Sequence, residues 1–261
     1  MRILIAVVIA AISGLTATPI VAGEIDAKVE AALAAEARPE ADRERDRNRR
    51  PLQTLKFFGL KDDMRVLELL PGGGWYTKLL GPVLRERGKL YVAMRTERVR
   101  ELIAAAPPLD NVEALDVNPD MPMTARRGIF ELEEMSFWLE DLDLVLTFRN
   151  AHNLTPDGRH NLNMAVFEAL KPGGLYGVID HTRRHMEPDN NVNGRRVDPV
   201  RMIHESEAAG FEFVGESDVN ANPKDQPGDG DFVWRLPPTL ATSRDNPELR
   251  AELEAVGESN R

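Results

Sequence analysis

A regular alternation of short apolar segments with amphipathic segments limits the folds that this chain can adopt. Apolar segments of strand length occupy residues 64–70, 89–93, 112–117, 142–148 and 175–180. Helical spacing of apolar residues separates most of them, at residues 75–87, 97–105 and 159–170. This alternation predicts an α/β fold whose sheet is largely parallel and carries helices on both faces.

The C-terminal part of the chain predicts two more strands and a tail. A helix is expected over residues 199–209, and strands are expected over residues 211–216 and 231–236. The tail is polar and is expected to lie on the surface. The chain is therefore divided into an N-terminal helical segment, an α/β domain and a tail, over residues 24–50, 51–236 and 237–261.

The N-terminus has the layout of a secretory signal peptide over residues 1–23. Arg2 supplies a positive charge, an apolar run follows over residues 3–12, and small residues precede the end of the segment. The run is shorter than the ~20 residues that a membrane span requires. We therefore expect export to the periplasm, cleavage near Ala22 or Gly23, and no stable membrane insertion after processing. An uncleaved N-terminal anchor is the alternative.

The charge and the composition exclude several kinds of chemistry. The 261 residues carry a formal net charge of −10 at pH 7, so a nucleic-acid partner is not expected. The chain has no cysteine, which excludes disulfides, thiolate metal sites and a cysteine nucleophile. The sequence leaves the oligomeric state open.

A glycine-rich turn follows the first predicted strand. Pro71, Gly72, Gly73 and Gly74 lie between Glu68, near the end of that strand, and the next predicted helix. Glycines at such a turn let the backbone approach a ligand closely, and the helix N-terminus favours anionic or polar groups. Three glycines alone also fit a plain tight turn, so the position after the first strand carries the interpretation.

The segment ELLPGGGWYT, residues 68–77, resembles the first motif of class I S-adenosylmethionine-dependent methyltransferases. More narrowly, it resembles a group of exported bacterial proteins that are predicted methyltransferases. In that group an arginine-rich segment and an FFGL stretch precede the motif, as residues 43–50 and 57–60 do here. Later landmarks of the group are also present, namely RNAHN at 149–153, LKPGG at 170–174, DH at 180–181 and RVDP at 196–199.

The resemblance implies a Rossmann-like, seven-stranded methyltransferase sheet whose last strand is antiparallel. S-adenosylmethionine would lie, as methyl donor, across the carboxyl ends of strands one to four. The positions that correspond to the family's cofactor-binding residues are Glu68, Pro71, Gly72, Gly73, Gly74, Tyr76, Thr77, Asp116, Arg149 and Asn150. Two positions depart from the family. Leu70 stands where the first glycine of the loop usually lies, and strand two is followed by no carboxylate before Glu97.

Two histidines are expected at the carboxyl edge of the sheet, where the methyl group and the acceptor would meet. His152 follows the fourth predicted strand, and His181 follows Asp180 at the end of the fifth. A neutral imidazole accepts a proton near pH 7, so each histidine is a candidate catalytic base. A structural hydrogen-bonding role is the alternative for both. A metal site that adds Asp180 and His185 matches no standard ligand motif and is not expected.

The function implied by the resemblance is methyl transfer from S-adenosylmethionine to a small-molecule acceptor. The alternative is a non-catalytic exported binding protein that uses the same cleft for another small ligand, which the missing carboxylate and the export signal favour. Metal-dependent hydrolysis rests on the histidines alone. Four arginines, Arg45, Arg47, Arg49 and Arg50, either clamp a carboxylate or phosphate or belong to a salt-bridged surface helix.

Overall fold

The computed structural model describes residues 22–183, 195–227, 231 and 233–259. Residues 1–21, which hold almost all of the predicted signal peptide, lie outside the described residues, as does His185. Within the described part of the chain, no helix is both long and apolar enough to cross a membrane. From residue 22 onward, four helices precede the first strand: α1 Ala22–Ala34, α2 Glu40–Arg43, α3 Asp46–Arg49 and α4 Pro51–Phe57.

Five parallel strands form one sheet in the order β3-β2-β1-β4-β5. They are β1 Arg65–Leu69, β2 Lys89–Ala93, β3 Val112–Ala114, β4 Leu142–Phe148 and β5 Leu170–Ile179. The central strands are apolar on both faces, as parallel strands covered on both sides require, and Val66, Leu67 and Leu146 are fully buried. The chain passes from β1 to β2 on one side and returns to β4 on the other. A crevice therefore opens at the carboxyl ends of β1 and β4.

Helices cover both faces of this sheet, as the alternation predicts. Those that follow β1 are α5 Thr77–Leu84, α6 Glu97–Ala105, α7 Pro156–Ala169, α8 Pro199–Ala208 and α9 Pro247–Val256. One core cluster joins the first face to the N-terminal helices, α5 and α6 through Leu55, Leu80 and Val99. The second cluster joins the other face to α7 and to the loop before β4 through Val166 and Phe137.

The expectation of seven strands with an antiparallel last strand is wrong for the described residues, whose sheet has five strands, all parallel. Residues 211–216 form no strand, and Val214 is 79% exposed. Residues 233–236 lie in turns and bends. Both segments have apolar residues suited to a strand, but a strand also needs a neighbour for its backbone hydrogen bonds. The N–H of Phe211 instead donates to the carbonyl of Ser206, at the end of α8.

Two strand boundaries also differ from the prediction. β3 ends at Ala114 rather than at residue 117. β5 begins at Leu170, because the predicted KPGG turn is an irregularity within the strand rather than a loop before it. Leu142 pairs with Leu170 and Leu144 pairs with Leu175, so extra residues bulge from β5 between these pairs.

The expectation that the C-terminal tail lies on the surface is wrong for the residues after α9. The chain there returns to the N-terminal helices, where Glu258 is only 1% exposed and Ser259 is also buried. The amide of Asn222 donates to the carbonyl of Val256 at 2.8 Å and helps to hold this return. Polar composition predicts exposure, but a carboxylate can be buried when cationic side chains surround it.

Candidate functional site

Backbone strain is concentrated at the carboxyl ends of three neighbouring strands. Leu70 follows β1 with φ +51°, Met94 and Arg95 follow β2 with φ +68° and +52°, and Arg149 follows β4 with φ +64°. Residues other than glycine rarely adopt positive φ, and such strain persists where a functional site requires it. Leu70 thus has the left-handed conformation that the missing first glycine of the loop would adopt freely.

A cavity of about 170 Å³ lies at this strained edge. Leu70, Gly72, Arg95, Phe130, Asn150 and Asn153 are among the residues that line it. The Arg95 guanidinium lies 4.6 Å from the centre of the Phe130 ring, so one wall of the cavity combines a cation with an aromatic face. Apolar walls with a few convergent polar groups are typical of a small-molecule site.

The three glycines of the loop have different surroundings. Gly72 lines the cavity with φ +57°, and a Cβ atom at Gly72 or Gly73 would have no neighbour within 4 Å. A Cβ at Gly74 would lie 2.6 Å from Leu102 of α6, and the φ of Gly74 is +72°. Gly72 therefore leaves open space beside the cavity, whereas Gly74 permits close packing of the loop against α6. Pro71 closes the turn by accepting a hydrogen bond from the N–H of Gly74 at 3.0 Å.

Glu68 and Thr77 form a buried pair beneath the glycine loop. The hydroxyl of Thr77, the first residue of α5, donates to Glu68 Oε2 at 2.6 Å. Burial raises the pKa of Glu68 to about 8, although Thr77 and the charge of Arg49 oppose the shift. At neutral pH the Glu68 carboxyl therefore holds a proton most of the time. The pair joins β1 to α5 and is not among the residues that line the cavity.

Tyr76 and Asp116 lie apart from the cavity. The Tyr76 ring stacks on Phe148 with ring centres 3.5 Å apart and an angle of 8°, and Trp75 contacts it edge to face. Burial raises the pKa of Tyr76 above its usual value, so the hydroxyl stays protonated. Asp116 is exposed on the loop after β3. By contrast, Asn150 lines the cavity, and its side-chain amide donates to Thr147 Oγ1 at 3.2 Å.

His152 forms a buried pair with Asp180. Its Nδ1 lies 2.5 Å from Asp180 Oδ1, and its backbone N–H donates to Asp180 Oδ2 at 3.0 Å. Burial alone would raise the pKa of Asp180, but His152 and the N–H of His181 outweigh it and hold that pKa below its usual value. The ionised carboxylate favours the tautomer with the proton on Nδ1, so the lone pair of the ring is on Nε2. Among the described residues this buried Nε2 has no hydrogen-bond partner.

His181 lies beside His152 but has a different partner. The ring centres are 5.2 Å apart in an edge-to-face arrangement. Arg149 Nε donates to His181 Nε2 at 3.1 Å. Burial and the positive charge of Arg149 lower the pKa of His181 well below its usual value, so this histidine is neutral at pH 7. With Nε2 already accepting a hydrogen bond from Arg149, His181 is less available than His152 as a base.

Three arginines surround the buried carboxylate of Glu258. Arg45 donates to it through Nε at 3.2 Å and Nη2 at 2.8 Å, and Arg49 does so at 3.1 and 2.9 Å. Arg149 Nη1 donates to Glu258 Oε1 at 2.5 Å. Burial opposes the shift, but these guanidinium groups lower the pKa of Glu258 to about 2. The Arg49 guanidinium also lies 4.5 Å from the ring centre of Trp75, which is the residue directly after the glycine loop.

The structure thus brings together part of the predicted set and adds residues that the sequence did not indicate. Gly72 and Asn150 line the cavity, while His152, His181 and Arg149 form the polar cluster on its β5 side. The sequence did not predict that Asp180 is the partner of His152, or that Glu258 is the partner of the arginines. Of the four arginines proposed as a clamp, Arg45 and Arg49 hold this carboxylate. Within the described residues, no group of three or more histidine, aspartate or glutamate side chains is arranged to bind a metal.

Comparison with solved structures identifies the fold. The chain is similar to an S-adenosylmethionine-dependent methyltransferase from Aquifex aeolicus, with 22% identity, a TM-score of 0.50, and coverage of 72% of this chain and 88% of that one. It is less similar to the S-adenosylmethionine-dependent methyltransferase SibL, with 19% identity, a TM-score of 0.48, and coverage of 66% and 51%. A third similar structure is CrArsM, an arsenic(III) S-adenosylmethionine methyltransferase from Chlamydomonas reinhardtii. Its identity is 20% and its TM-score is 0.45, with coverage of 70% of this chain and 61% of that one.

The Aquifex aeolicus structure supports a shared Rossmann-like methyltransferase fold, and at this identity it supports the fold alone. No protein-family model matches the chain. No curated protein matches it either. The activity therefore has to be argued from the side chains at the carboxyl edge of the sheet.

Proposed function

We propose that this protein is an S-adenosylmethionine-dependent methyltransferase that acts on a small-molecule acceptor. The observation that carries the proposal is the Asp180–His152 pair, whose Nε2 has no partner among the described residues. This pair stands at the same sheet edge as the cavity lined by Gly72. A base and an open glycine cradle at one edge of a methyltransferase fold are the two parts that methyl transfer to an oxygen or nitrogen requires.

The residues that line the cavity suit S-adenosylmethionine. Gly72 leaves room for close approach to the backbone, Phe130 offers an aromatic face, and the amide of Asn150 offers polar contacts. Arg95 lies against the Phe130 ring in the same wall of the cavity. When bound, S-adenosylmethionine supplies a methyl group on a positively charged sulfur, which an electron-rich acceptor atom attacks.

The chain's own residues would then manage the acceptor's proton. His152 Nε2 accepts the proton from the acceptor hydroxyl or amine as that atom gains the methyl group. Asp180 holds the required tautomer and stabilises the imidazolium that forms. The leaving group needs no acid, so most of the remaining rate enhancement comes from holding the two reactants in line.

A methyl-transfer assay with matched histidine variants tests this proposal. His152→Gln should lower the rate of S-adenosylhomocysteine formation by ~10²–10⁴-fold, because a positioned base contributes that much. His204→Gln is the control, since His204 is exposed on α8, where it pairs with Glu207. Equal rates for the His152→Gln variant and the control would remove His152 from the mechanism.

One observation favours a second function. Arg95, rather than a carboxylate, lines the cavity at the end of β2, where the family that the sequence resembles places an acid for the ribose. A non-catalytic protein that binds another small ligand, with an anionic group next to Arg95, would also use this cavity. Binding of neither S-adenosylmethionine nor S-adenosylhomocysteine to the folded protein would favour that function over methyl transfer.

We also propose that the protein belongs to the exported bacterial group that its motifs resemble. The support is the layout of residues 1–23 together with the arginine-rich segment and the glycine motif. In this proposal the signal peptide is removed near Ala22 or Gly23, and the protein works in the periplasm without stable membrane insertion.

A further inference from the structure

Among the described residues, three arginines pair with the single carboxylate of Glu258, so their positive charges outnumber its negative charge. Arg45, Arg49 and Arg149 all donate to Glu258, and this group of three is called the arginine cluster below. The next carboxylate along the edge, Asp180, already accepts hydrogen bonds from His152 and from the N–H of His181. A partly buried excess of positive charge is costly unless an anion balances it, so the arginine cluster is suited to bind anions.

The geometry of the arginine cluster is that of a carboxylate site. Arg45 and Arg49 each use Nε and Nη2, one nitrogen for each oxygen of the Glu258 carboxylate. This paired arrangement matches the planar shape of a carboxylate and is among the strongest hydrogen-bonded pairings in proteins. Oε1 accepts a third bond from Arg149 at 2.5 Å.

The arginine cluster lies beside the proposed methyl-transfer site. Arg149 bonds to His181, whose ring lies 5.2 Å from that of His152, and the next residue, Asn150, lines the cavity. On the other side, Arg49 lies over Trp75, which follows the glycine loop. A ligand whose carboxylate replaced that of Glu258 would therefore contact Arg149, which is linked through His181 to the candidate base.

We propose that the arginine cluster is the subsite for a carboxylate of the methyl acceptor, and that Glu258 occupies it in the free protein. The acceptor assignment rests on the proposed methyltransferase function, whereas the carboxylate site stands on the contacts of Glu258 alone. Binding requires only that one carboxylate replace another on the same N–H groups. The acceptor class is thus a small hydroxy or amino acid, with a free carboxylate at one end and the methylated atom at the other.

Displacement of Glu258 breaks the hydrogen bonds from Asn222 to the carbonyls of Val256 and Glu258 but does not disturb the core of the sheet. Leu253 of α9 packs with Leu236 and Leu240 in a small apolar cluster, which is separate from the two clusters of the sheet. Gly257 joins α9 to Glu258 with φ +83°, a conformation that other residues rarely adopt. Displacement of Glu258 therefore leaves both faces of the sheet covered.

Propionate and propionamide test the site, because they reproduce the ends of a glutamate and a glutamine side chain. Glu258→Ala should bind propionate at least about tenfold more tightly than the wild type does, measured by calorimetry at constant ionic strength. The same variant should bind propionate at least about tenfold more tightly than it binds propionamide. Glu254→Ala, an exposed position on α9, is the control and should behave as the wild type. If Glu258→Ala does not fold, Glu258→Gln removes the charge while keeping the shape, and the same comparison applies.

Two results would overturn the carboxylate site: equal affinity of propionate and propionamide for Glu258→Ala, or equal affinity of propionate for that variant and the wild type. Titration of the same proteins with S-adenosylhomocysteine separates the two proposals. Propionate binding without S-adenosylhomocysteine binding would overturn the methyltransferase function and keep the carboxylate site. With both bound, Glu258→Ala should methylate hydroxybenzoates at least about fivefold faster than the matching hydroxybenzamides. Equal rates would overturn the acceptor assignment.

Discussion

The carboxylate of Asp180 is the group on which the candidate base depends. It accepts hydrogen bonds from Nδ1 and the backbone N–H of His152 and from the backbone N–H of His181. Position along the chain is enough to place both histidines after neighbouring parallel strands. Their partners follow from three-dimensional packing, since His152 turns toward Asp180 while His181 turns toward Arg149. The sequence therefore predicts the two candidates but cannot rank them.

Asp180→Asn should separate catalysis from binding. The amide cannot stabilise an imidazolium and no longer fixes the proton on Nδ1 of His152, so kcat should fall by ~10²–10⁴-fold. Calorimetry should give an affinity for S-adenosylhomocysteine within about threefold of that of the wild type, because Asp180 does not line the cavity. A parallel loss of affinity and kcat would instead assign Asp180 to the ligand site.

The glycine loop offers a second prediction at the residue scale. Gly74→Ala should lower the free energy of unfolding by about 1–3 kcal/mol, because the new Cβ would lie 2.6 Å from Leu102 and the residue has positive φ. Gly73→Ala should change it by less than about 0.5 kcal/mol, since its Cβ position is open and its φ is not positive. Chemical denaturation measures both. A Gly74→Ala variant as stable as Gly73→Ala would contradict the role given to Gly74.

At the scale of elements, local pattern and long-range pairing contribute differently. β1, β2 and β4 coincide with the predicted apolar segments to within one residue at each end, because strands buried on both faces are apolar throughout. The last two strands were predicted from the same kind of local apolar pattern, but residues 211–216 have no neighbouring strand in the described sheet. Local apolar pattern does not reveal which edge is available for pairing, and for that reason the strand count was wrong.

The Glu68–Thr77 pair, which joins β1 to α5, predicts a pH dependence of stability. The folded pKa of Glu68 is about 8 against an ordinary value of 4.5, so the unfolded chain releases this proton more readily. The contribution of Glu68 to the free energy of unfolding is fully present below pH ~4.5 and is lost as the pH rises toward ~8. Glu68→Gln should remove that loss, which is on the order of 2–4 kcal/mol. Denaturation curves from pH 5 to pH 9 test this, and parallel profiles for both proteins would contradict it.

At the scale of the whole molecule, the two ends of the described chain meet at the site. The helices before β1 supply Arg45 and Arg49, and the segment after α9 supplies Glu258. The sequence suggested the arginines as a possible clamp for an anion, but it gave no signal for their partner, since an isolated glutamate in a polar tail is ordinary. Only folding reveals a contact over a sequence separation of more than 200 residues.

Export is also a property of the whole molecule. Cell fractionation should recover the protein from the periplasm with a new N-terminus near residue 23 or 24, because residues 1–23 are expected to be a cleaved signal peptide. Val8→Asp interrupts the apolar run and should leave the protein in the cytoplasm at full length. Wild-type protein that stays in the cytoplasm with an intact N-terminus, as is expected of the Val8→Asp variant, would contradict the proposed export.

The most direct test of the central claim is calorimetric titration of the purified protein with S-adenosylhomocysteine. A methyltransferase site at the carboxyl ends of β1 and β4 predicts a dissociation constant on the order of micromolar. Gly72→Ala should weaken binding by at least about tenfold, and Gly73→Ala by less than about twofold, because Gly72 lines the cavity and Gly73 does not. Absence of binding at about 1 mM ligand, in protein shown to be folded, would contradict the claim.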